Sequence, residues 1–213
     1  MKHHKHLISW AILLSLVSLA AVPENPREII ENVRTKYASI KDAELRFSQL
    51  TRFSLSKLEQ RGKGTLYLKK ENKYRIETDD QTIVTDGQTV WSYSIPNKQV
   101  LVDNFKIREG SLTPERILSG APEDFTPSVI GKERIGGAET IILKLVPQNG
   151  EALVVSLRLW VDPEEWLVRK AEIIDANGKE TSYTVGSIRT NIGLPDSRFT
   201  LRIPEGVEVV DLR

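Results

Sequence analysis

The stretch 64–103, GTLYLKKENKYRIETDDQTIVTDGQTVWSYSIPNKQVLVD, constrains this chain more than any other. Leu66 and Leu68, then Tyr74 and Ile76, then Trp91, Tyr93 and Ile95 recur at every second residue. A period of two belongs to strands with one buried and one wet face. Glu71-Asn72-Lys73, Asp79-Asp80-Gln81 and Pro96-Asn97 punctuate the runs as turns. Asp86-Gly87, between Val84 and Val90, is a hairpin signal that asks for positive φ at both central positions. The block reads as an antiparallel meander whose apolar face the rest of the chain must cover.

The same period extends to both sides. Ala43, Leu45 and Phe47 alternate with Glu44, Arg46 and Ser48, and residues 54–62 read as a polar hairpin end. Further strands are expected near 129–135, 140–146, 152–161, 166–175, 182–189 and 199–210. Asp162-Pro163 and Asn177-Gly178 supply turns, with Trp160 and Trp166 expected to pack across the first of them. Two segments break the period. Asn25-Pro26-Arg27-Glu28 is a helix start, and Ile29, Ile30, Val33, Tyr37 and Ile40 then form one helical stripe. Thr113-Pro114-Glu115-Arg116 opens a second, shorter helix that carries Ile117 and Leu118 and stops at Gly120. This insert interrupts a meander that a tight turn could have continued, so it is expected to cover one face of the sheet. About ten or eleven strands in sequence order favour an up-and-down sheet, and one this large curls to present a concave apolar face.

Residues 1–20 stand apart. Lys2, Lys5 and three histidines precede the apolar run 7–19, and Ser18-Leu19-Ala20 is a small-x-small site. That is the pattern of a cleaved secretory signal peptide; the run falls short of the roughly 20 residues a spanning helix needs. Residues 21–213 are expected to form a single domain. Cleavage would leave no histidine, and the sequence has no cysteine at all. Ser-His-Asp and Cys-His catalysis are thereby excluded, and zinc sites lose their usual ligands. No calcium loop is found, and Gly136-Gly137 is a turn with no helix after it to make a phosphate loop. Removing Lys2 and Lys5 from 30 basic residues leaves 28 against 29 acidic ones, a balance with no electrostatic case for nucleic acid. Asp79-Asp80 and Glu164-Glu165 are carboxylate pairs, but both sit at turns. A binding protein without metal or cofactor, rather than an enzyme, is the expectation.

Four segments together resemble a known family. They are Phe47-Ser48-Gln49, then Gly64-x-Leu66-Tyr67-Leu68 running to Tyr74-Arg75-Ile76-Glu77, then Thr85-Asp86-Gly87-Gln88-Thr89-Val90-Trp91-Ser92-Tyr93, and finally Phe199-x5-Pro204-x-Gly206-Val207. The family is that of the periplasmic outer-membrane lipoprotein carriers, LolA, and the resemblance covers nearly all of the chain after the leader. It implies an incomplete antiparallel β-barrel, with the N-terminal helix and the helical insert as a lid over an apolar cavity for acyl chains. It also implies a monomeric carrier in the periplasm of a diderm bacterium. Such a carrier takes acylated lipoproteins from an inner-membrane ABC-type release complex and hands them to an outer-membrane lipoprotein receptor. That receptor has a similar fold but is itself a lipoprotein with an N-terminal cysteine, so the lack of cysteine favours the carrier. Family members often have Arg-Pro where this chain has Lys70-Glu71, and the arginine is implied to hold the empty lid closed. Lys70 keeps the charge without the planar fork of donors.

Acyl chains are held by burial, at roughly 0.8 kcal/mol per CH₂, so their site needs apolar area rather than a motif. The expected cavity lining is Leu45, Phe47, Leu66, Leu68, Tyr74, Ile76, Trp91 and Tyr93. Ile29, Ile30, Val33, Ile117 and Leu118 are the expected lid underside, and Lys70 the lid-closing contact. Plain core packing explains each of these apolar residues equally well. A periplasmic lipid or lipoprotein sensor of the same fold is the alternative reading. A carboxylate hydrolase would instead show two acidic groups about 5–10 Å apart in one cleft.

Overall fold

A computed structural model describes residues 25–107, 112–120, 124–148 and 154–213; the expected leader falls outside them. Helix α1 (Pro26–Ser39) precedes six strands: β1 (Asp42–Phe53), β2 (Leu58–Lys69), β3 (Lys73–Thr78), β4 (Gln81–Asp86), β5 (Thr89–Ser94) and β6 (Gln99–Asn104). Helix α2 (Pro114–Leu118) leads to a second meander of β7 (Phe125–Ile135), β8 (Ala138–Pro147), β9 (Val154–Asp162), β10 (Leu167–Asp175) and β11 (Lys179–Thr190). A 3₁₀ turn at Asp196–Phe199 and the short strand β12 (Glu208–Asp211) follow. The strands share one open sheet in the order β12-β6-β5-β4-β3-β2-β1-β11-β10-β9-β8-β7. This is the expected mainly β, incomplete barrel.

Strand order explains the helical insert. β6 and β7 stand near opposite ends of the sheet, so no tight turn could join them. Their connection has to traverse the sheet, and it carries α2 over the concave face. The insert is therefore a consequence of topology, not the interruption of a meander.

Several local details differ from the sequence reading. Among the described residues there are twelve strands rather than about ten or eleven. The 199–210 run is not one strand: Phe199 lies in the 3₁₀ turn, Gly206 takes φ +74°, and only β12 pairs, parallel to β6. In the β4–β5 turn only Gly87 has positive φ, at +91°, while Asp86 stays in β4. The Asp86 carboxylate accepts the backbone N–H groups of Gln88 and Thr89, each at 2.8 Å. Aspartate thus supplies the side-chain acceptor and glycine the backbone freedom. Trp160 stands opposite Lys170, whose ammonium lies 4.0 Å from the indole centroid, and not opposite Trp166. Trp166 is itself in the turn, at φ +55°.

The two meanders join along the β1–β11 ladder. Asp42 clamps the junction. Its buried carboxylate accepts the Ile192 N–H at 2.7 Å and the Gly193 N–H at 3.1 Å, and its carbonyl accepts the Asn191 N–H at 2.8 Å. Asn191 answers by accepting the Lys41 N–H at 2.8 Å. Asp42→Ala leaves two backbone donors without their acceptor and is expected to cost about 2 kcal/mol, read as a lower urea midpoint at unchanged slope.

Opposed residues in successive ladders share a face, and their rows define the concave side. Leu143, Leu159, Ala171 and Tyr183 form one row across β8 to β11. Leu45, Leu66, Ile76 and Ile83 form another across β1 to β4. Helix α1 starts where the Asn25 side chain accepts the Arg27 N–H at 3.0 Å, and it packs on β7 and β10. Its Ile29 and Val33 are fully buried there.

Candidate functional site

A cavity of about 250 Å³ lies between the concave face and α2. Leu45 and Phe47 of β1, Leu66 of β2 and Ile76 of β3 form one wall. Val168, Ala171 and Ile173 of β10, with Tyr183 and Val185 of β11, form the other. Leu112, Pro114, Ile117 and Leu118 make the roof. No aspartate, glutamate, lysine or arginine is among the described lining residues. Gln49, Thr78 and Gln81 are its polar members, all toward the end where β1 runs out to the β2 hairpin. Tyr183 is the lone phenol in the wall, and burial pushes its pKa up, so it stays neutral.

Phe47 shapes the wall. It stands opposite Gly64, whose missing side chain lets the ring lie over β2, and it meets Tyr183 edge-on at 5.7 Å. A Cβ on Gly64 would sit 2.6 Å from Phe47 Cζ and 2.5 Å from the Glu77 carbonyl oxygen.

The roof is short. Thr113 caps α2 by accepting the Arg116 N–H at 3.3 Å, and the Arg116 guanidinium donates to Asp124 at 2.9 Å. Gly120, at φ +97°, ends α2 directly against α1: a Cβ there would lie 3.1 Å from Val33 Cγ1. A five-residue helix closes too few intrahelical bonds to stand alone, so α2 depends on what it packs against.

Of the expected lining, Leu45, Phe47, Leu66 and Ile76 do border the cavity. Leu68 and Tyr74 pack against the main core beyond its wall, Tyr74 edge-on to Phe105 at 6.2 Å. Trp91 and Tyr93 are a correction. They oppose Val84 and Thr82, which places them on the outer face, whereas Ile76 opposes Ile83 and Ile83 opposes Ser92. Each two-residue hairpin swaps odd for even positions. Even residues of β3 therefore share a face with even residues of β5, and the two large aromatics are odd. That outer face has its own cover, for the 3₁₀ turn with buried Phe199 packs on β3 and β4. Ile117 and Leu118 lie in the roof as expected. Ile29, Ile30 and Val33 are buried in the core under α1 and do not border the cavity.

Ile83, Val168, Ala171, Ile173, Tyr183 and Val185 escaped the sequence reading. Ile83 could have been found by counting across Asp79-Asp80 to Ile76. Val168 and Ala171 could not, because a register shift between Val168 and Lys170 puts an even and an odd residue on one face.

Lys70 meets α1. Its ammonium donates to the Ala38 carbonyl at 2.9 Å, in the last turn of α1. The contact overlooks a second, more polar recess of about 390 Å³ lined by Tyr37, Ala43, Leu68 and Glu115 among others.

The profile of the family described as "Outer membrane lipoprotein carrier protein LolA" matches residues 38–202. The chain belongs to the LolA family. The LolA match takes in every strand from β1 to β11 and both walls of the cavity. A LolA-type relative from Azotobacter vinelandii, named outer-membrane lipoprotein carrier protein, is 30% identical over 93% of this chain and 96% of its own. One of the same name from Aeromonas salmonicida is 25% identical over 95% of this chain and 98% of its own. Among solved structures, an uncharacterized conserved protein from Thermus thermophilus superposes with TM-score 0.56 at 14% identity, over 87% of this chain and 98% of its own. MucB superposes with TM-score 0.51 at 13% identity, over 87% of this chain and 65% of its own. These two likenesses concern the fold.

Proposed function

We propose that this protein is a periplasmic carrier that shields the acyl chains of lipoproteins on their way from an inner-membrane ABC-type release complex to an outer-membrane receptor. One observation carries the reading: in a chain of the LolA family, a cavity with no charged side chain among its described lining residues lies under a short helix. A binding site of this kind exchanges cargo readily, because the acyl chains gain as much from the next apolar host as they lose on leaving. Carrier function is tested by adding the purified protein to spheroplasts: newly made lipoproteins should appear in the supernatant bound to it, and their retention on the membrane would refute the assignment.

Lys70 is the proposed latch. Its bond to the Ala38 carbonyl places a cation at the negative end of α1 and ties the β2–β3 turn to the lid. The side chain is exposed, so Lys70→Met should cost only about 0.5–1 kcal/mol in stability. The larger readout is access. An apolar dye should bind the empty Lys70→Met protein more strongly than the parent, and Lys70→Arg should restore the parent behaviour.

A further inference from the structure

The β1–β2 hairpin runs past β3. β3 pairs with β2 only from Gly64 onward, so residues 58–63 of β2 have no strand partner on that side among the described residues. At about 3.3 Å per residue, the hairpin reaches on the order of 20 Å beyond the last β2–β3 pair. On its other side β1 stays paired with β11 as far as Phe53 opposite Lys179, so the tip stands beside the β10–β11 turn. Its end is apolar. Leu55 is 94% exposed and Leu58 64%, and Phe53, opposite Leu58, is 37% exposed. Three large apolar side chains at one protruding tip are not the scattered single exposures of an ordinary surface.

The charges on the hairpin have one dominant sign. Arg52, Lys57, Arg61 and Lys63 stand on the hairpin against Glu59 alone. Arg52 bonds Glu59 at 2.9 Å and Glu180 at 2.8 Å, and Arg61 bonds Glu59 at 3.0 Å, so these two are largely neutralised within the protein. Lys57 and Lys63 form no ion pair among the described residues and face solvent. Lys63 lies behind the apolar side chains, and Lys57, in the turn between Leu55 and Leu58, carries its ammonium on a long stem that can snorkel back to the phosphates of an anionic bilayer.

We propose that the β1–β2 hairpin is a membrane-contact finger that inserts Leu55 and Leu58 into the surface of an anionic phospholipid bilayer, with Lys57 and Lys63 at the headgroups. Two leucines and a phenylalanine give only weak, reversible partitioning, which lets the protein dwell and leave. β1 runs from the cavity wall at Phe47, past Gln49 at its polar end, directly to Phe53. Docking by the finger therefore turns that end of the cavity toward the bilayer. The finger does not depend on the carrier reading, since it can be tested with lipid alone.

The absence of cysteine makes the test clean. The exported protein, lacking residues 1–20, is given Leu55→Cys and labelled with an environment-sensitive fluorophore; Lys132→Cys, on the far edge strand, is the control. On vesicles of phosphatidylethanolamine with phosphatidylglycerol, the Leu55 label should brighten several-fold and shift to the blue, and the Lys132 label should not. Flotation of the unlabelled protein with these vesicles should fall on the order of tenfold for Leu55→Ser with Leu58→Ser. It should fall about fivefold for each of Lys57→Ser and Lys63→Ser. Vesicles of phosphatidylcholine alone should bind poorly. All four sites are exposed, so unchanged thermal midpoints would exclude misfolding as the cause. A Leu55 label that stays in water on every vesicle overturns the proposal, as does flotation indifferent to the serine changes. A response confined to native membranes and lost after protease treatment also overturns it, in favour of a protein partner.

Discussion

Ile76→Asp is expected to fold and to lose the capture of acylated lipoproteins. Ile76 borders the cavity and is only half-buried, so in the empty protein an aspartate carboxylate at this position can keep water. The stability cost should stay near 1–2 kcal/mol. Occupancy changes the balance. Acyl chains would have to enclose an unpaired charge, at a cost of several kcal/mol, and each 1.4 kcal/mol is tenfold in affinity. Spheroplast release should therefore fall by well over about tenfold. Trp91→Ala provides the contrast. Its ring is larger and its loss should destabilise by about 2 kcal/mol, yet it stands on the outer face, so release per folded molecule should match the parent. Should Trp91→Ala abolish release in a folded protein while Ile76→Asp preserves it, the assignment of faces is wrong.

Gly64→Val is expected to destabilise by about 3 kcal/mol or more, the largest stability effect of any single change considered. The new Cβ would fall 2.6 Å from Phe47 Cζ and 2.5 Å from the Glu77 carbonyl oxygen. A ring can swing aside, but the carbonyl belongs to the β2–β3 ladder and cannot move without breaking it. Gly62→Val, two residues away in the same strand, meets nothing within 4 Å and should be neutral or slightly stabilising, since valine suits an extended backbone better than glycine. Urea midpoints of the two variants check the pair. Equal midpoints would mean that Phe47 does not depend on Gly64 for its place in the wall.

These contrasts mark how far the chain could be read in advance. The caps of both helices were legible because Asn25-Pro26 and Thr113-Pro114 carry their own acceptors and their own fixed φ. The strands from 64 to 103 were legible because alternation records which residues are buried. Leu45, Phe47, Leu66 and Ile76 were found in this way. Trp91 and Tyr93 were misplaced because alternation separates two faces without saying which one is inside. Here both faces are covered, one by helices and the other by the 3₁₀ turn, so size and apolarity do not distinguish them.

Sequence by itself narrowed the chemistry and set the architecture. The chain has no cysteine and its histidines stand only at positions 3, 4 and 6, so no Cys-His site can form, and its alternating apolar surface called for a sheet with a cover. What the tertiary structure alone decided is where the cover fits closely. Helix α1 fills the concave face over β7 and β10, while α2 spans the remainder with five residues and leaves a void. The reason is that the void depends on the order of strands and on register shifts near Phe47 and Val168, and each of these is settled by pairings between residues far apart in the chain.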